Sequence, residues 1–231
     1  MALLKVENLE VYYGVIRALK GISFEVGEGE IVTLLGANGA GKTTTMQSIM
    51  GLIHARSGSV TYDGKNITGL PSHKIVRMGM TQVPEGRRVF SELTVYENLL
   101  MGAYIEKDKA KIRHDIEEIY SVFPRLDERK NQVAGTLSGG QKQRISIARA
   151  LILDPKVLIL DDALSAVDTD TEEQILENLK RERRNKTNII IAHRISTLQN
   201  ADKIIVIDGA RIVEEGKHEE LVAKGGIYAG L

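Results

Sequence analysis

A glycine-rich segment follows directly after an apolar run near the beginning of the chain. Residues 31–35 read Ile-Val-Thr-Leu-Leu, and residues 36–43 read Gly-Ala-Asn-Gly-Ala-Gly-Lys-Thr. Glycines at this spacing let backbone N–H groups turn inward around phosphate oxygens, and the lysine adds a positive charge near the outer phosphates. A helix that begins at the lysine would point the positive end of its dipole at the same anion. The segment therefore predicts a phosphate-binding loop (P-loop) that holds ATP.

Seven residues of the P-loop segment and the threonine after it are predicted to contact the nucleotide. They are Gly36, Asn38, Gly39, Ala40, Gly41, Lys42, Thr43 and Thr44. The hydroxyl of Thr43 is also a predicted ligand of the Mg²⁺ ion that accompanies the nucleotide. A chance glycine turn is the alternative, but the complete pattern behind an apolar strand argues against it.

Two consecutive carboxylates end another apolar run. Residues 156–162 read Lys-Val-Leu-Ile-Leu-Asp-Asp. In P-loop proteins the carboxylate at the end of such a strand lies beside the phosphate-binding loop and holds Mg²⁺. Without a P-loop upstream, a strand followed by an acidic turn would be the better interpretation. With it, Asp161 is predicted to be a Mg²⁺ ligand.

A third motif, Leu-Ser-Gly-Gly-Gln at residues 137–141, precedes a helical segment. A serine and two glycines at a helix start offer a hydroxyl group and backbone N–H groups to an anion. Taken alone, these five residues are more typical of an ordinary helix cap with a flexible turn. The motif gains significance only from the two motifs described above.

The order of the three motifs resembles the nucleotide-binding domain of ABC transporters, over the whole chain. The motif at 137–141 (the signature) is the most specific of the three. The resemblance implies that Tyr13 stacks on adenine, that Asp168 lies in the D-loop, and that His193 contacts the γ-phosphate. A histidine after a strand would otherwise more often be structural. The signature residues that the resemblance assigns to the nucleotide are Ser138, Gly139, Gly140 and Gln141.

The resemblance also implies partners. Two ATPase domains would form a head-to-tail dimer, in which each ATP lies between the P-loop of one domain and residues 138–140 of the other. The second domain would be another copy of this chain or a different ABC ATPase domain, so that a homodimer and a heterodimer both remain open. Transmembrane transporter subunits are the further expected partners, provided that coupling to them is intact.

The residue after Asp161 departs from the family pattern. The family usually has a glutamate there, which orients or deprotonates the attacking water, whereas this chain has Asp162. Because a general base must come within hydrogen-bond distance of its water, the shorter side chain predicts slow or negligible hydrolysis with ATP binding retained. Asp162 and His193 are predicted catalytic residues. The alternative is a nucleotide-gated dimerisation module that does not hydrolyse ATP.

A second departure concerns the glutamine that reaches Mg²⁺ in the family. Glu85 occupies its position, within Val-Pro-Glu-Gly-Arg-Arg at 83–88, and Gln82 comes three residues too early. A glutamate still offers an oxygen atom, so Glu85 is predicted to contact Mg²⁺ and to contribute to catalysis.

The two parts of the chain resemble different branches of the family. Residues 1–135 are similar to the ATPases of branched-chain amino-acid importers, for example at 83–88. From about Leu137 the chain is similar to exporter ATPase domains, for example in Leu-Asp-Asp-Ala-Leu-Ser at 160–165. We therefore hypothesise a chimera, natural or engineered, that is joined at about residues 125–140. One lineage with mixed features is the alternative.

Charge and cysteine content exclude other classes of function. The chain has 31 Lys and Arg, 31 Asp and Glu, and no cysteine. Balanced charge gives no support for binding nucleic acid, and the lack of cysteine excludes thiolate metal sites. Chromosome-type ATPases that share the signature carry a long heptad insertion, and residues 44–136 show no sustained heptads. We expect a soluble, cytoplasmic protein that is peripheral on the inner face of the membrane when it binds transporter subunits.

Alternating strands and helices must position these residues. The predicted fold is α/β: a P-loop NTPase with a mixed central sheet, an N-terminal antiparallel β subdomain and an inserted α-helical subdomain at about 86–150. All of these would belong to one domain spanning residues 1–231. Locally, we expect a turn near Asn8, a helix from about Lys42 to Leu52, and a helix at 109–123 that Pro124 helps to end.

Overall fold

The computed structural model describes residues 2–163, 183, 185–191 and 195–230. The chain divides into two compact units. The first comprises residues up to Met78 and from Asn185 onwards, and the second runs from Gly79 to Arg184.

The described strands and helices are numbered in chain order. The strands are β1 (Ala2–Tyr13), β2 (Ile16–Gly27), β3 (Ile31–Leu35), β4 (Ser57–Tyr62), β5 (Lys65–Asn66), β6 (Met80–Val83), β7 (Val157–Asp161), β8 (Thr187–Ile191), β9 (Lys203–Asp208) and β10 (Arg211–Gly216). The α-helices are α1 (Lys42–Ile49), α2 (Ser72–Arg77), α3 (Val95–Gly102), α4 (Lys109–Val122), α5 (Pro124–Asp127), α6 (Gly139–Leu151), α7 (Ile195–Gln199) and α8 (His218–Lys224). Short 3₁₀ helices lie at Ala134–Thr136 and Tyr228–Gly230.

The first unit contains an antiparallel sheet with the strand order β2-β1-β4-β5. The alternating apolar residues of β1 (Leu4, Val6, Leu9 and Val11) are all buried, as the pattern predicts. The prediction of a turn near Asn8 is wrong, because β1 continues through this position. Asn8 instead has a positive φ of 48°, and the register with β2 shifts between Val6 and Leu9. A β-bulge therefore stands where the sequence suggested a chain reversal.

The same unit holds the strand that leads into the P-loop. Strand β3 pairs in parallel with β8 on one side and with β9 on the other, and β10 pairs antiparallel with β9. The predicted mixed α/β architecture is thus confirmed. Residues 32–35 of β3 are buried on both faces of the sheet. The P-loop thus starts at the carboxyl end of a strand that is paired on both sides.

Helix α1 begins at Lys42 as predicted, but it ends at Ile49 and not near Leu52. The reason is Gly51, whose φ is 68° and whose missing side chain leaves room for the carbonyl of Leu70. A left-handed glycine at this point stops the helix.

The second unit pairs β6 in parallel with β7 and contains helices α3 to α6. Thr94 caps α3 through a complete capping box with Glu97. Pro124 does follow the end of α4, but it also begins the short helix α5 as its first residue, since a proline at this position loses no helical hydrogen bond. In the part of the chain that the structure describes, no helix is long and apolar enough to cross a membrane.

Candidate functional site: two halves of a nucleotide site

The P-loop connects β3 to α1 in the first unit. Gly36 has a φ of 154° and Gly41 a φ of 110°. A Cβ atom at Gly36 would collide with the carbonyl oxygen of Ile207, and one at Gly41 would lie 2.7 Å from Cδ2 of Leu19. Both the conformation and the close approach of neighbouring atoms therefore require glycine at the two ends of the loop.

The ammonium group of Lys42 places a positive charge inside the P-loop. Only 6% of the residue is exposed. Its Nζ atom donates hydrogen bonds to the carbonyl oxygens of Gly36, at 2.7 Å, and Ala37, at 3.0 Å. The carbonyl groups of the loop thus hold the Lys42 ammonium group in place. A triphosphate bound in the loop would contact a cation whose position is already fixed.

The remaining predicted P-loop residues lie on the same turn. Asn38 and Gly39 are exposed, whereas Ala40 is buried and its N–H donates to the carbonyl of Ala37. Thr43 and Thr44 are half-buried in the first turn of α1. The loop therefore presents exposed backbone at its tip and hydroxyl groups at its helical end.

Tyr13 lies beside the P-loop, at the end of β1. Its hydroxyl group is 3.4 Å from Oγ1 of Thr44, and 49% of the residue is exposed. The structure thus brings together the aromatic residue and the loop that sequence analysis assigned to one nucleotide. An exposed ring anchored at the edge of the loop is suited to stacking on a base.

The second unit holds the predicted metal ligand Asp161. This residue ends β7 and is only 1% exposed. Oδ2 of Asp161 accepts a hydrogen bond of 3.2 Å from Nε2 of Gln82. In the sequence, Gln82 lies three residues before the position of the family's glutamine, and no role was predicted for it. The signal that could have found it is the parallel register of β6 and β7, in which Gln82 lies opposite Ile159, two residues before Asp161 and on the same face of the sheet.

Asp162 follows β7 in a left-handed conformation with a φ of 48°. The residue is half-buried. Aspartate tolerates this backbone conformation better than most residues with a Cβ atom. The predicted catalytic carboxylate therefore sits on a sharp turn immediately after the predicted metal ligand.

Glu85 lies beyond the end of β6 and is exposed. Its backbone carbonyl accepts a hydrogen bond of 3.3 Å from Nε of Arg88. Nothing in this geometry distinguishes Glu85 as a Mg²⁺ ligand, so that its predicted role remains a prediction.

The signature begins helix α6 in the same unit. Ser138 and Gln141 form a capping box: Oγ of Ser138 accepts from the Gln141 N–H at 3.4 Å, and Oε1 of Gln141 accepts from the Ser138 N–H at 3.0 Å. No described residue comes close to a Cβ atom placed at Gly140, whereas one at Gly139 would collide with the guanidinium group of Arg87. The first turn of α6 is therefore a firmly capped helix start with one open side.

The segment after Glu85 is fastened to the same helix. The carbonyl oxygen of Arg88 accepts from Oγ of Ser146 at 3.3 Å and from Nη2 of Arg149 at 2.6 Å. The Arg149 guanidinium also lies over the ring of Phe90, 5.1 Å from its centre, and burial lowers the pKa of this group. These contacts connect the importer-like segment at 83–88 with the helix of the signature.

Two predicted site residues, Asp168 and His193, lie outside the described residues. Within the ranges that the structure describes, no three His, Cys, Asp or Glu residues form a cluster that could hold a metal ion. The predicted ligands Thr43 and Asp161 supply one hydroxyl and one carboxylate oxygen. Such a hard, sparse donor set fits Mg²⁺, which keeps several water ligands and takes phosphate oxygens of its nucleotide.

Comparison with known sequences identifies the family. The profile of the ABC transporter family matches residues 19–165. The chain is 43% identical over 213 residues to the high-affinity branched-chain amino acid transport ATP-binding protein BraG of Pseudomonas aeruginosa, with 91% of each chain covered. It is 40% identical over 215 residues to the probable multidrug resistance ABC transporter ATP-binding/permease protein YheI of Bacillus subtilis. That match covers 91% of this chain but 36% of YheI.

Solved structures agree with this assignment. A nucleotide-free ATP-binding cassette from an ABC transporter superposes with a TM-score of 0.86 at 28% identity, covering 97% of this chain and 94% of that one. A bacterial Atm1-family ABC exporter with ATP bound superposes with a TM-score of 0.85 at 32% identity, covering 98% of this chain and 40% of that one. The chain therefore belongs to the ABC transporter family, as an ATP-binding ATPase domain.

Proposed function

We propose that the chain forms an ATP-sandwich dimer and hydrolyses the bound ATP slowly. Two features of the chain support this proposal as two half-sites of a nucleotide site. One is the P-loop around the buried ammonium of Lys42, and the other is the capped start of α6 with open space at Gly140. Two copies, or this chain and a related domain, could each supply the half-site that the other lacks.

The proposed roles of the site residues come from the family pattern, and the geometry of the P-loop supports those of Lys42 and Tyr13. Lys42 binds the β- and γ-phosphates, the exposed loop backbone surrounds them, and Tyr13 stacks on adenine. Thr43 and Asp161 would hold Mg²⁺, with Glu85 as a further oxygen donor. The bound ion would neutralise charge on the β- and γ-phosphates. His193 and Asp168 keep their proposed roles at the γ-phosphate and in the D-loop.

Asp162 is proposed to be the general base and the reason for slow turnover. It replaces a glutamate, and its side chain is shorter by one methylene group. The left-handed backbone at this residue fixes the direction of its Cα–Cβ bond. From there the aspartate carboxylate extends one methylene group less far toward a water that is placed for glutamate. A dimerisation module without any hydrolysis is the second candidate, and the same shortened side chain favours it.

Dimerisation can be tested at Gly140. Replacing Gly140 with glutamate adds a negative charge to the start of α6, where the described residues leave room for a Cβ atom. We expect Gly140→Glu to abolish ATP-dependent dimerisation, because the new carboxylate would face the γ-phosphate held by the other copy. ATP binding to the monomer should stay within about twofold of wild type, since the P-loop is unchanged.

The measurement for this variant is molar mass by light scattering with ATP and Mg²⁺, alongside equilibrium ATP binding. The matched control is Gly230→Glu, because Gly230 also has open space around it and lies far along the chain from the signature. A Gly140→Glu protein that dimerises with ATP as well as the control would contradict the sandwich arrangement.

Transmembrane transporter subunits are the proposed partners of the dimer. BraG is named for branched-chain amino acid transport and YheI for multidrug resistance, so that the relatives do not point to one cargo. We propose that all of residues 1–231 serve as one ATP-binding domain, with a helical subdomain at about 86–150, on the inner face of the membrane.

The proposed chimera makes a separate prediction. Residues 1–135 should be more identical to BraG-type subunits, and residues 137–231 more identical to exporter ATPase domains such as that of YheI. The measurement is percentage identity taken separately for the two segments. A ranking that is the same in both segments would support one lineage with mixed features.

A further inference from the structure

Gln82 and Asp161 form a side-chain pair across two parallel strands. Met80 lies opposite Val157 and Val83 opposite Leu160, so that the register of β6 and β7 is continuous. The amide of Gln82 reaches diagonally along this sheet and donates from Nε2 to Oδ2 of Asp161 at 3.2 Å. The pair is therefore fixed by the strand register and does not depend on a loop.

The chemistry of the pair fixes the orientation of the amide. A carboxylate only accepts hydrogen bonds, so the nitrogen end of Gln82 must face Asp161. The other end, Oε1, is buried and has no hydrogen-bond partner among the residues that the structure describes. Leaving a buried carbonyl oxygen without a partner is unfavourable. An apolar side chain of the same length would avoid that cost, and packing alone therefore does not explain an amide at this position.

We propose that Gln82 is a positioning residue that orients the Asp161 carboxylate for Mg²⁺. The inference rests on the proposed role of Asp161 as a Mg²⁺ ligand. By restraining Oδ2, the amide of Gln82 fixes the rotation of the carboxylate about its last bond. A metal ligand that is held in this way loses less conformational freedom when the ion binds. Gln82 thus supplies an amide to the site, whereas Glu85, at the position of the family's glutamine, has a carboxylate.

The test variant is Gln82→Met, which keeps the length of the side chain and removes the amide. The expected result is a dissociation constant for Mn²⁺, used as a spectroscopic substitute for Mg²⁺, that is about 10- to 100-fold higher with a non-hydrolysable ATP analogue bound. Binding of the analogue in EDTA should be unchanged, because the P-loop is intact. The readout is the electron paramagnetic resonance titration of Mn²⁺, which does not depend on turnover.

The matched control is Gln143→Met. Gln143 is 1% exposed, and within the described part of the chain its Nε2 is also buried without a hydrogen-bond partner, but it lies in α6. This variant should bind Mn²⁺ like wild type. If Gln82→Met melts at a clearly lower temperature than wild type, Gln82→Asn replaces it. The asparagine amide is one methylene group too short to reach Asp161, so the same loss of Mn²⁺ affinity is expected.

Asp161→Asn separates this inference from the proposed function. If Asp161→Asn binds Mn²⁺ like wild type, the proposed metal ligand is wrong and the inference is overturned with it. If Asp161→Asn weakens Mn²⁺ binding but Gln82→Met does not, only the role of Gln82 is overturned. When both weaken it, the double variant should be no weaker than Asp161→Asn alone, because Gln82 acts through Asp161. Additive losses would contradict the positioning role.

Discussion

Replacing Asp162 with glutamate is expected to raise the ATP turnover number by roughly 10²-fold, the lower end of what a well-placed general base contributes. The added methylene group would bring the carboxylate within reach of the water that attacks the γ-phosphate. Because the P-loop does not change, the dissociation constant for ATP should remain within about twofold of wild type. The measurement is the steady-state rate of phosphate release at saturating ATP and Mg²⁺.

Two controls accompany the Asp162→Glu measurement. Asp162 has a φ of 48°, and glutamate tolerates this conformation less well, so the free energy of unfolding should fall by no more than about 1 kcal/mol. Asp162→Asn keeps the preferred backbone conformation but removes the charge, and it should turn over more slowly than wild type. Equal rates for wild type and Asp162→Glu would rule out the length of this side chain as the cause of slow hydrolysis.

Lys42→Met is expected to weaken ATP binding by about 10- to 150-fold. This range corresponds to the roughly 1.5–3 kcal/mol that a hydrogen bond to a charged group contributes. The methionine keeps most of the apolar stem of the lysine but cannot donate to phosphate or carry charge. Of the two carbonyls that accept from Lys42, that of Ala37 belongs to an exposed residue and can bond to water, whereas that of Gly36 is buried and loses this partner. The free energy of unfolding should therefore fall by about 1–3 kcal/mol, and thermal melting checks that the variant is folded.

The matched control for Lys42→Met is Lys203→Met. Lys203 also donates to a backbone carbonyl, that of Glu25, at 3.0 Å. It begins β9 opposite Val32, near the end of β3 that is remote from the P-loop. Equilibrium binding of ATP to Lys203→Met should match wild type. If Lys42→Met bound ATP as tightly as this control while folded by thermal melting, the P-loop would not be the nucleotide site.

Features with a local cause were predictable from the sequence. The apolar alternation in β1 places Leu4 and Val11 in the core, and the spacing of glycines before Lys42 specifies a loop between a strand and a helix. Thr94 and Glu97, which are three residues apart, form a capping box at the start of α3. In each case the residues that interact are near one another in the sequence, or one face of an element is buried.

Features that depend on distant residues were harder to predict. Asn8 has the conformation of a turn residue, but the pairing of β1 with β2 continues past it and makes it a bulge. The bond between Gln82 and Asp161 joins residues 79 positions apart. It follows from the register of β6 and β7, which no local pattern specifies. The metal-binding role was therefore assigned to Glu85 from its position in a motif. In the structure it is Gln82 that bonds to the predicted metal ligand Asp161.

The most direct test of ATP-gated dimerisation with slow hydrolysis is the composition of the complex formed by the wild-type chain. The protein is incubated with ATP and Mg²⁺, separated by size-exclusion chromatography with light scattering, and its bound nucleotide is identified by chromatography after denaturation. We predict a species of twice the 25.5 kDa of one chain that contains two molecules of intact ATP. A dimer that contains only ADP would contradict slow hydrolysis, and a protein that stays monomeric with ATP bound would contradict a dimer of two copies of this chain.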